Sequence, residues 1–189
     1  MHSFSLDNSV EFSQEIRQWF VLRDLKRANA KLPAYLLLQS EGVSQFTPMQ
    51  ERLTTRFGKR KCEVVPVIHD LLFANATRDE LDPIIERTPT LQYRYVKGAG
   101  YKVPMTVSDK EMNEFIHAVE FSDTQKYYLP GEITPAMYGR EVRIIGGPLT
   151  YYTGRLLSMR GSKTKRLLVE LKDFIIAAVE VNPDYIQFV

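Results

Sequence analysis

The residues of this chain best suited to acid–base or metal chemistry are its three histidines and its single cysteine. His2, His69, His117 and Cys62 lie far apart in sequence and lack the spacing of a metal-binding motif. The segment Gly98-Ala-Gly100 lacks the helix and the lysine that would follow it in a phosphate-binding loop. The sequence therefore predicts no catalytic residue, no metal site and no cofactor, and it argues against an enzyme.

Basic side chains form two local groups, although the formal net charge is only +2. Each group lies between apolar runs and contains a glycine, so each is predicted to occupy a β-hairpin turn. Either group could be a solvated loop or a nucleic-acid contact, and both interpretations stay open. The groups are Arg52, Arg56, Lys59, Arg60 and Lys61 around Gly58, and Arg160, Lys163, Lys165 and Arg166 around Gly161.

The overall composition is that of a globular protein with room for one or two domains. The chain has 189 residues, of which 44% are hydrophobic and 25% charged. No apolar run approaches the roughly 20 residues of a membrane helix, and Met1–Gln18 lacks the basic start and apolar block of a signal peptide. The lone Cys62 fits a reducing compartment. We therefore expect a cytoplasmic protein with no membrane partner.

The first half of the chain predicts strands around a single helix. Trp19–Leu22 is apolar throughout, which is typical of a buried strand. A helix is predicted over Lys26–Ser40, with Pro33 either kinking it or delaying its start. Phe46 and Met49 are predicted to flank a short second strand. Cys62–Ala74 is largely apolar but interrupted by Pro66, which predicts one or two strands with a bend at the proline.

Two further helices are predicted from their start signals. Thr77-Arg-Asp-Glu80 fits a capping box, while Asp82-Pro83 offers a rival start for the same helix, which ends near Arg87. After a strand over Leu91–Val96, a second capping box at Ser108–Glu111 precedes a helix with one apolar face. That face is interpreted as core packing.

The remainder of the chain predicts a small β-structure behind a linker. Phe121–Arg140 loses all periodicity and is rich in proline and glycine, so it is interpreted as an interdomain linker. Gly146-Gly147-Pro148 is a strong turn signal. The short strand candidates are typical of a small barrel or sandwich and comprise Val142–Ile145, Arg155–Met159, Leu167–Leu171, Ile175–Val181 and Ile186–Val189.

The order of these motifs resembles the NusG-type transcription factors. The elements that carry the resemblance are Trp19-Phe20-Val21-Leu22, Gly42-Val43 with Phe46-Thr47-Pro48-Met49, Gly58-Lys59-Arg60, Pro66-Val67-Ile68 with Leu72-Phe73, Arg87-Thr88-Pro89, and a KOW-like segment with Val142, Gly147, Pro148 and Gly154. The resemblance implies an α+β fold, in which an antiparallel sheet flanked by helices (an NGN-like domain) is followed by an SH3-like β-barrel (KOW). It divides the chain into an extension at residues 1–18, the NGN-like domain at 19–121, a linker at 122–139 and the KOW barrel at 140–189.

The resemblance also implies partners and sites. The NGN-like domain would hold the clamp helices of RNA polymerase in an apolar depression, at the positions Arg23, Ile68, His69, Leu71 and Phe73. Lys26, Arg27 and Lys31 would touch non-template DNA, unless they form only a solvated face. The KOW domain would bind ribosomal protein NusE, the termination factor Rho or nucleic acid.

The chain departs from the general family pattern at specific places. Ile68-His69-Asp70-Leu71 stands where the family reads Phe-Pro-Gly-Tyr, and Tyr151 stands where the KOW motif has glycine. Such departures favour a specialised paralogue of the RfaH or UpxY kind over a housekeeping factor.

These features predict a bacterial elongation or antitermination factor that favours the closed polymerase clamp and suppresses pausing or termination. The alternative is a KOW-type RNA-binding protein of ribosome or RNA metabolism. An apolar depression around Ile68 and Leu71 would favour the first interpretation, and a continuous basic face would favour the second.

Overall fold

The computed structural model describes residues 16–27, 30–56, 58–99, 101–122 and 124–189. These ranges contain two antiparallel sheets, a separate two-stranded arm and three α-helices. The strands are β1 Gln18–Asp24, β2 Ser44–Phe46, β3 Met49–Arg56, β4 Lys59–Pro66, β5 Leu72–Ala76, β6 Leu91–Tyr93, β7 Thr106–Val107, β8 Lys126–Tyr128, β9 Tyr138–Ile144, β10 Thr153–Leu157, β11 Arg166–Leu171, β12 Ile175–Glu180 and β13 Ile186–Phe188. The helices are α1 Ala34–Ser40, α2 Arg78–Arg87 and α3 Asp109–Glu120. The predicted α+β class is confirmed.

The N-terminal sheet has the order β2-β5-β1-β6, and β7 also pairs with β1. Because side chains alternate along a strand, β1 divides its apolar residues between the two faces of this sheet. Phe20 and Leu22 join a cluster with α1 and α2, whereas Trp19 and Val21 join a cluster with α3. Helices α1 and α2 therefore lie against one face, and Phe73 of β5 lies on the other.

The first helix is shorter than the sequence predicts. It begins at Ala34 with Pro33 as its N-cap, so the delayed start is confirmed, and the helical assignment is wrong for the described residues 26–27 and 30–32. Pro33 has no N–H and fixes its own φ, which suits it to a helix boundary. Buried Asp24, at the end of β1, accepts hydrogen bonds from Ala34 N at 2.7 Å and from Lys26 N at 2.9 Å. This carboxylate takes the place of a side-chain cap.

The second helix begins at the capping box rather than at Asp82. Thr77 Oγ1 accepts from Glu80 N, and the Glu80 carboxylate accepts from Thr77 N. Asp82 lies inside the helix, where it pairs with Arg78 and accepts a hydrogen bond from the Tyr93 hydroxyl at 2.7 Å. Burial, followed by this bond to Asp82, raises the pKa of Tyr93 well above its ordinary value. The rival start at Asp82 is therefore wrong.

The chain around residues 46–49 contains two strands where the sequence predicts one. Phe46 ends β2 and Met49 begins β3, so these residues mark two strands rather than flank one. Of the one or two strands predicted over Cys62–Ala74 the structure has two, because β4 ends at Pro66 and β5 begins at Leu72.

The C-terminal sheet has the order β13-β9-β10-β11-β12-β8. Five of its strands match the strands predicted from sequence. The sixth, β8, comes from the segment predicted to be a linker, and it pairs with β12 over Lys126–Tyr128. The linker prediction fails at β8 because its ladder partner lies about 50 residues away along the chain, beyond the reach of local periodicity.

One apolar cluster joins the two sheets. It contains Trp19, Val21 and Phe73 of the N-terminal sheet, Met112 and Phe115 of α3, and several residues of the C-terminal sheet: Val142, Ile144, Leu167, Leu171, Ile175, Ala177 and Val179. Thus the side of the N-terminal sheet opposite α1 and α2 is covered by α3 and the C-terminal sheet. The division at residues 19–121 and 140–189 remains a prediction.

Candidate interaction site

Three of the five residues predicted to bind polymerase join the apolar cluster on the face of the N-terminal sheet that α3 and the C-terminal sheet cover. We call this the covered face, defined by Ile68, Leu71 and Phe73. Phe73 is fully buried, and Leu71 is 3% exposed. Ile68 is half-buried and packs against the same cluster. Leu71 is therefore part of the shared apolar cluster and does not line an open surface depression.

An aromatic contact joins this face to the turn between β11 and β12 of the C-terminal sheet. The rings of Phe73 and Phe174 meet edge to face, with centroids 5.7 Å apart and planes at 84°. Phe174 lies in the tight turn between β11 and β12, where Asp173 adopts φ +65° and Phe174 N donates to Leu171 O at 3.0 Å. This turn therefore presents Phe174 to the N-terminal sheet.

A polar contact joins α3 to the C-terminal sheet. The Tyr152 hydroxyl donates to the Glu114 carbonyl at 2.9 Å, so it accepts from His117 Nδ1 at 3.0 Å. The His117 ring also stacks on the Tyr152 ring at a centroid distance of 5.8 Å. Burial, and then the nearby Glu114, raise the pKa of Tyr152. His117 therefore belongs to the contact between α3 and the residue that precedes β10.

Arg23 is not free to meet a partner without exchanging its own ion pair. Its Nη2 lies 3.2 Å from Asp70 Oδ2, and Arg94 Nη2 lies 3.2 Å from the same oxygen. Arg94 also donates to the Asp70 carbonyl. Asp70 therefore holds the loop between β4 and β5 against the edge of the sheet.

The structure brings the two predicted site groups together at His69. Its exposed imidazole donates from Nε2 to the Lys26 carbonyl. Lys26 is half-buried, and its ammonium donates to Leu32 O at 2.7 Å, whereas Arg27 and Lys31 are exposed. Lys31 and His69 also line a cleft of about 230 Å³ with Tyr35.

In the KOW-like segment, backbone geometry and close packing explain why the turn contains Gly146 and Gly147. Gly147 has φ +74°, and a Cβ on Gly146 would lie 2.6 Å from the Tyr185 ring. Val142 is buried in the shared cluster, while Pro148 lies exposed after the turn. The first residue that departs from the family pattern here, Tyr151, adopts φ +75°, where glycine is favoured.

Sequence reasoning missed the residues that cover the site. Phe174 belongs to an apolar run that predicts a buried element, but nothing local indicates its partner. Tyr152 and His117 lie 35 positions apart, and neither spacing nor type marks them as a pair. In the described part of the chain, the His, Cys, Asp and Glu side chains form no group suited to hold a metal ion. None of the helices in those same ranges has the length and apolarity needed to traverse a bilayer.

The fold and this face define the chain as an α+β protein whose five-stranded N-terminal sheet presents an apolar face to a second, six-stranded β-sheet. The family model described as "NusG: Transcription termination factor nusG" matches residues 17–116, which is more than half of the 189-residue chain. The chain belongs to the NusG family and is a transcription factor of the NusG type.

Comparison with solved structures gives a weaker likeness. A structure described as "Domain interaction in Thermotoga maritima NusG" has a TM-score of 0.46 and 14% sequence identity, and the match covers 92% of this chain and 98% of that one. A search of curated protein sequences found no match. The family assignment therefore stands on the family model.

Proposed function

We propose that this protein is a transcription elongation or antitermination factor that binds the clamp helices of RNA polymerase through its covered face. By bridging the clamp it favours the closed state and suppresses pausing or termination. Its C-terminal sheet recruits a further partner, for which NusE and Rho are the family candidates. Membership of the NusG family supports this proposal.

The observation that carries the proposal is the apolar character of the covered face. Ile68, Leu71 and Phe73 stand on or beside a rigid strand, and their cluster continues into residues of a different sheet. A surface that already buries apolar groups of another element can equally bury the apolar side of a partner helix. Ion-paired Arg23 and Asp70 would form its polar border.

The clamp helices and the C-terminal sheet cannot occupy the covered face together. Binding to polymerase therefore requires the contact between Phe73 and Phe174 to open. The apparent affinity is reduced by the fraction of molecules in which the face is closed, as in any two-state equilibrium. Weakening the closure should strengthen binding without any change in the face itself.

Contact with non-template DNA rests on Arg27 and Lys31 rather than equally on all three predicted cations. Both are exposed, whereas the ammonium of Lys26 already bonds to the Leu32 carbonyl. Cations on an open loop neutralise phosphate, and their contribution falls with salt.

Co-purification with core RNA polymerase tests the proposal. The full chain should be retained by core enzyme and displaced by an excess of a general NusG that occupies the clamp. It should also shorten pauses in a single-round transcription assay. If an excess of a general NusG does not displace the chain, the contact lies elsewhere on polymerase. If core enzyme retains neither the wild type nor a Phe174→Ala variant, polymerase binding is refuted.

A further inference from the structure

The arm formed by β3 and β4 pairs with neither of the two larger sheets in the described part of the chain. Its two strands pair over eight positions, from Met49↔Pro66 to Arg56↔Lys59, and form their own two-stranded sheet. At about 3.4 Å per residue the arm is roughly 27 Å long. Both faces carry exposed side chains, Leu53 (63%) and Val64 (61%) on one and Lys61 on the other. Isolated two-stranded ribbons are only marginally stable. A ribbon of this length is therefore a candidate for binding a partner.

Charge is distributed unevenly along the arm. Its acidic residues, Glu51 and Glu63, lie towards the base, whereas Lys59, Arg60 and Lys61 follow one another directly after the turn at Gly58. Lys61 is 73% exposed on its side chain and reaches Glu63 at 3.4 Å. An exposed pair of this kind contributes little. The end of the arm is thus strongly cationic on a chain whose net charge is only +2.

The strand geometry places these cations on both faces of the ribbon. Because successive side chains alternate, Lys59 and Lys61 share one face and Arg60 lies on the other. Thr54 and Thr55 stand opposite Lys61 and Arg60, so the facing strand brings no negative charge to either pair. A flat anionic surface would meet only one face of such a ribbon. A groove with anionic walls on both sides would meet both.

We propose that the end of this arm binds double-stranded DNA, with Lys59, Arg60 and Lys61 contacting phosphates on the two walls of the groove. The major groove of B-form DNA, about 12 Å wide, admits a two-stranded β-ribbon. The deep, narrow major groove of A-form RNA does not admit side chains in the same way. Because these contacts are to phosphates, they position the protein on the duplex but do not recognise the base sequence.

The second basic group supplies a matched control. Arg160, Lys163 and Lys165 are exposed on the irregular loop between β10 and β11, while the neighbouring Arg166 pairs with Glu180 at 3.7 Å. Changing these three residues to Gln removes as many charges as changing Lys59, Arg60 and Lys61 to Gln. The two triple variants therefore have equal net charge and differ only in where it is lost.

The experiment is fluorescence anisotropy of a labelled 20-base-pair DNA duplex with the full-length chain and both triple variants. If the three cations each neutralise one phosphate, they release about three counterions from the DNA. The factor by which the arm raises the binding constant should then fall about 40-fold between 50 and 200 mM salt. We expect the arm variant to bind at least tenfold more weakly than wild type at 50 mM salt and to lose that salt dependence. The loop variant should stay within about twofold of wild type.

Three results would overturn the proposal. Equal loss in both triple variants would show a general charge effect, and unchanged binding by the arm variant would remove the arm from DNA contact. Equal affinity for duplex RNA, single-stranded DNA or polyglutamate would contradict the groove assignment. Melting temperatures of all three proteins should agree, since the altered side chains are exposed. The test uses no polymerase, so its outcome is separate from that of the proposed function.

Discussion

The ring of Phe174 meets the ring of Phe73 edge to face, with centroids 5.7 Å apart, and so places the turn between β11 and β12 on the face proposed to receive polymerase. Phe73 is fully buried and Phe174 only half-buried. The two residues therefore differ in what their removal should do. Loss of Phe73 would damage the core of the N-terminal sheet, whereas loss of Phe174 should mainly free the C-terminal sheet.

We predict that Phe174→Ala loosens the contact between the sheets without unfolding either. Losing an aromatic pair and part of its buried area should weaken docking by about 1–2 kcal/mol. Hydrogen exchange should then rise in the turn between β11 and β12. Phe188→Ala, at an exposed aromatic on the edge strand β13, is the control. Unchanged exchange in the Phe174 variant would show that the ring does not hold the closed state.

Ile68 and Leu71 should respond differently to the same substitution. Ile68 is half-buried, so Ile68→Asp should fold and lose about 2–4 kcal/mol of binding to the clamp helices, because a charge would enter an apolar interface. Leu71 is buried, so Leu71→Asp should cost more than about 3 kcal/mol of folding free energy. Circular dichroism and thermal melting distinguish the two effects. Normal clamp binding by folded Ile68→Asp would remove Ile68 from the site.

These contrasts show which parts of the molecule the sequence could predict. The capping box at Thr77, the N-cap at Ser108 and the turn at Gly147 act over a few residues, so their types predict their structure. The pairing of β8 with β12 and the contact of Phe73 with Phe174 join positions 50 to 100 residues apart. Periodicity indicates that such residues are buried, but it does not indicate against what. The apolar site residues could thus be predicted, and the element covering them could not.

Arg27 and Lys31 together should carry most of the DNA effect expected of the loop after β1. Changing both to Ala should weaken binding to a complete elongation complex and leave binding to isolated clamp helices intact, with the difference shrinking as salt rises. Lys26→Ala should instead disturb the loop, because it removes the bond to the Leu32 carbonyl. Comparable losses on both partners would indicate a folding defect, and no loss on either would leave these residues as a solvated face.

Tyr151 should be replaceable by glycine with a gain in stability. Its φ of +75° strains a non-glycine residue, and its side chain is 85% exposed. Relief of this strain, about 1–2 kcal/mol, should exceed the entropy cost of glycine. Tyr151→Gly should therefore raise the melting temperature, while Tyr151→Ala, which keeps the strain, should not. A lower melting temperature for the glycine variant would show that the Tyr151 ring contributes contacts of its own.

The most direct test of the proposed function is the affinity of the full chain for an isolated clamp-helix fragment, measured by titration calorimetry for four proteins. These are wild type, Phe174→Ala, Ile68→Asp and the double variant. The account predicts that Phe174→Ala binds about five- to thirtyfold more tightly than wild type, the affinity equivalent of 1–2 kcal/mol. It predicts that Ile68→Asp abolishes this gain in the double variant. Equal affinities for wild type and Phe174→Ala, or tight binding by the double variant, would contradict the claim that polymerase binds beneath the C-terminal sheet.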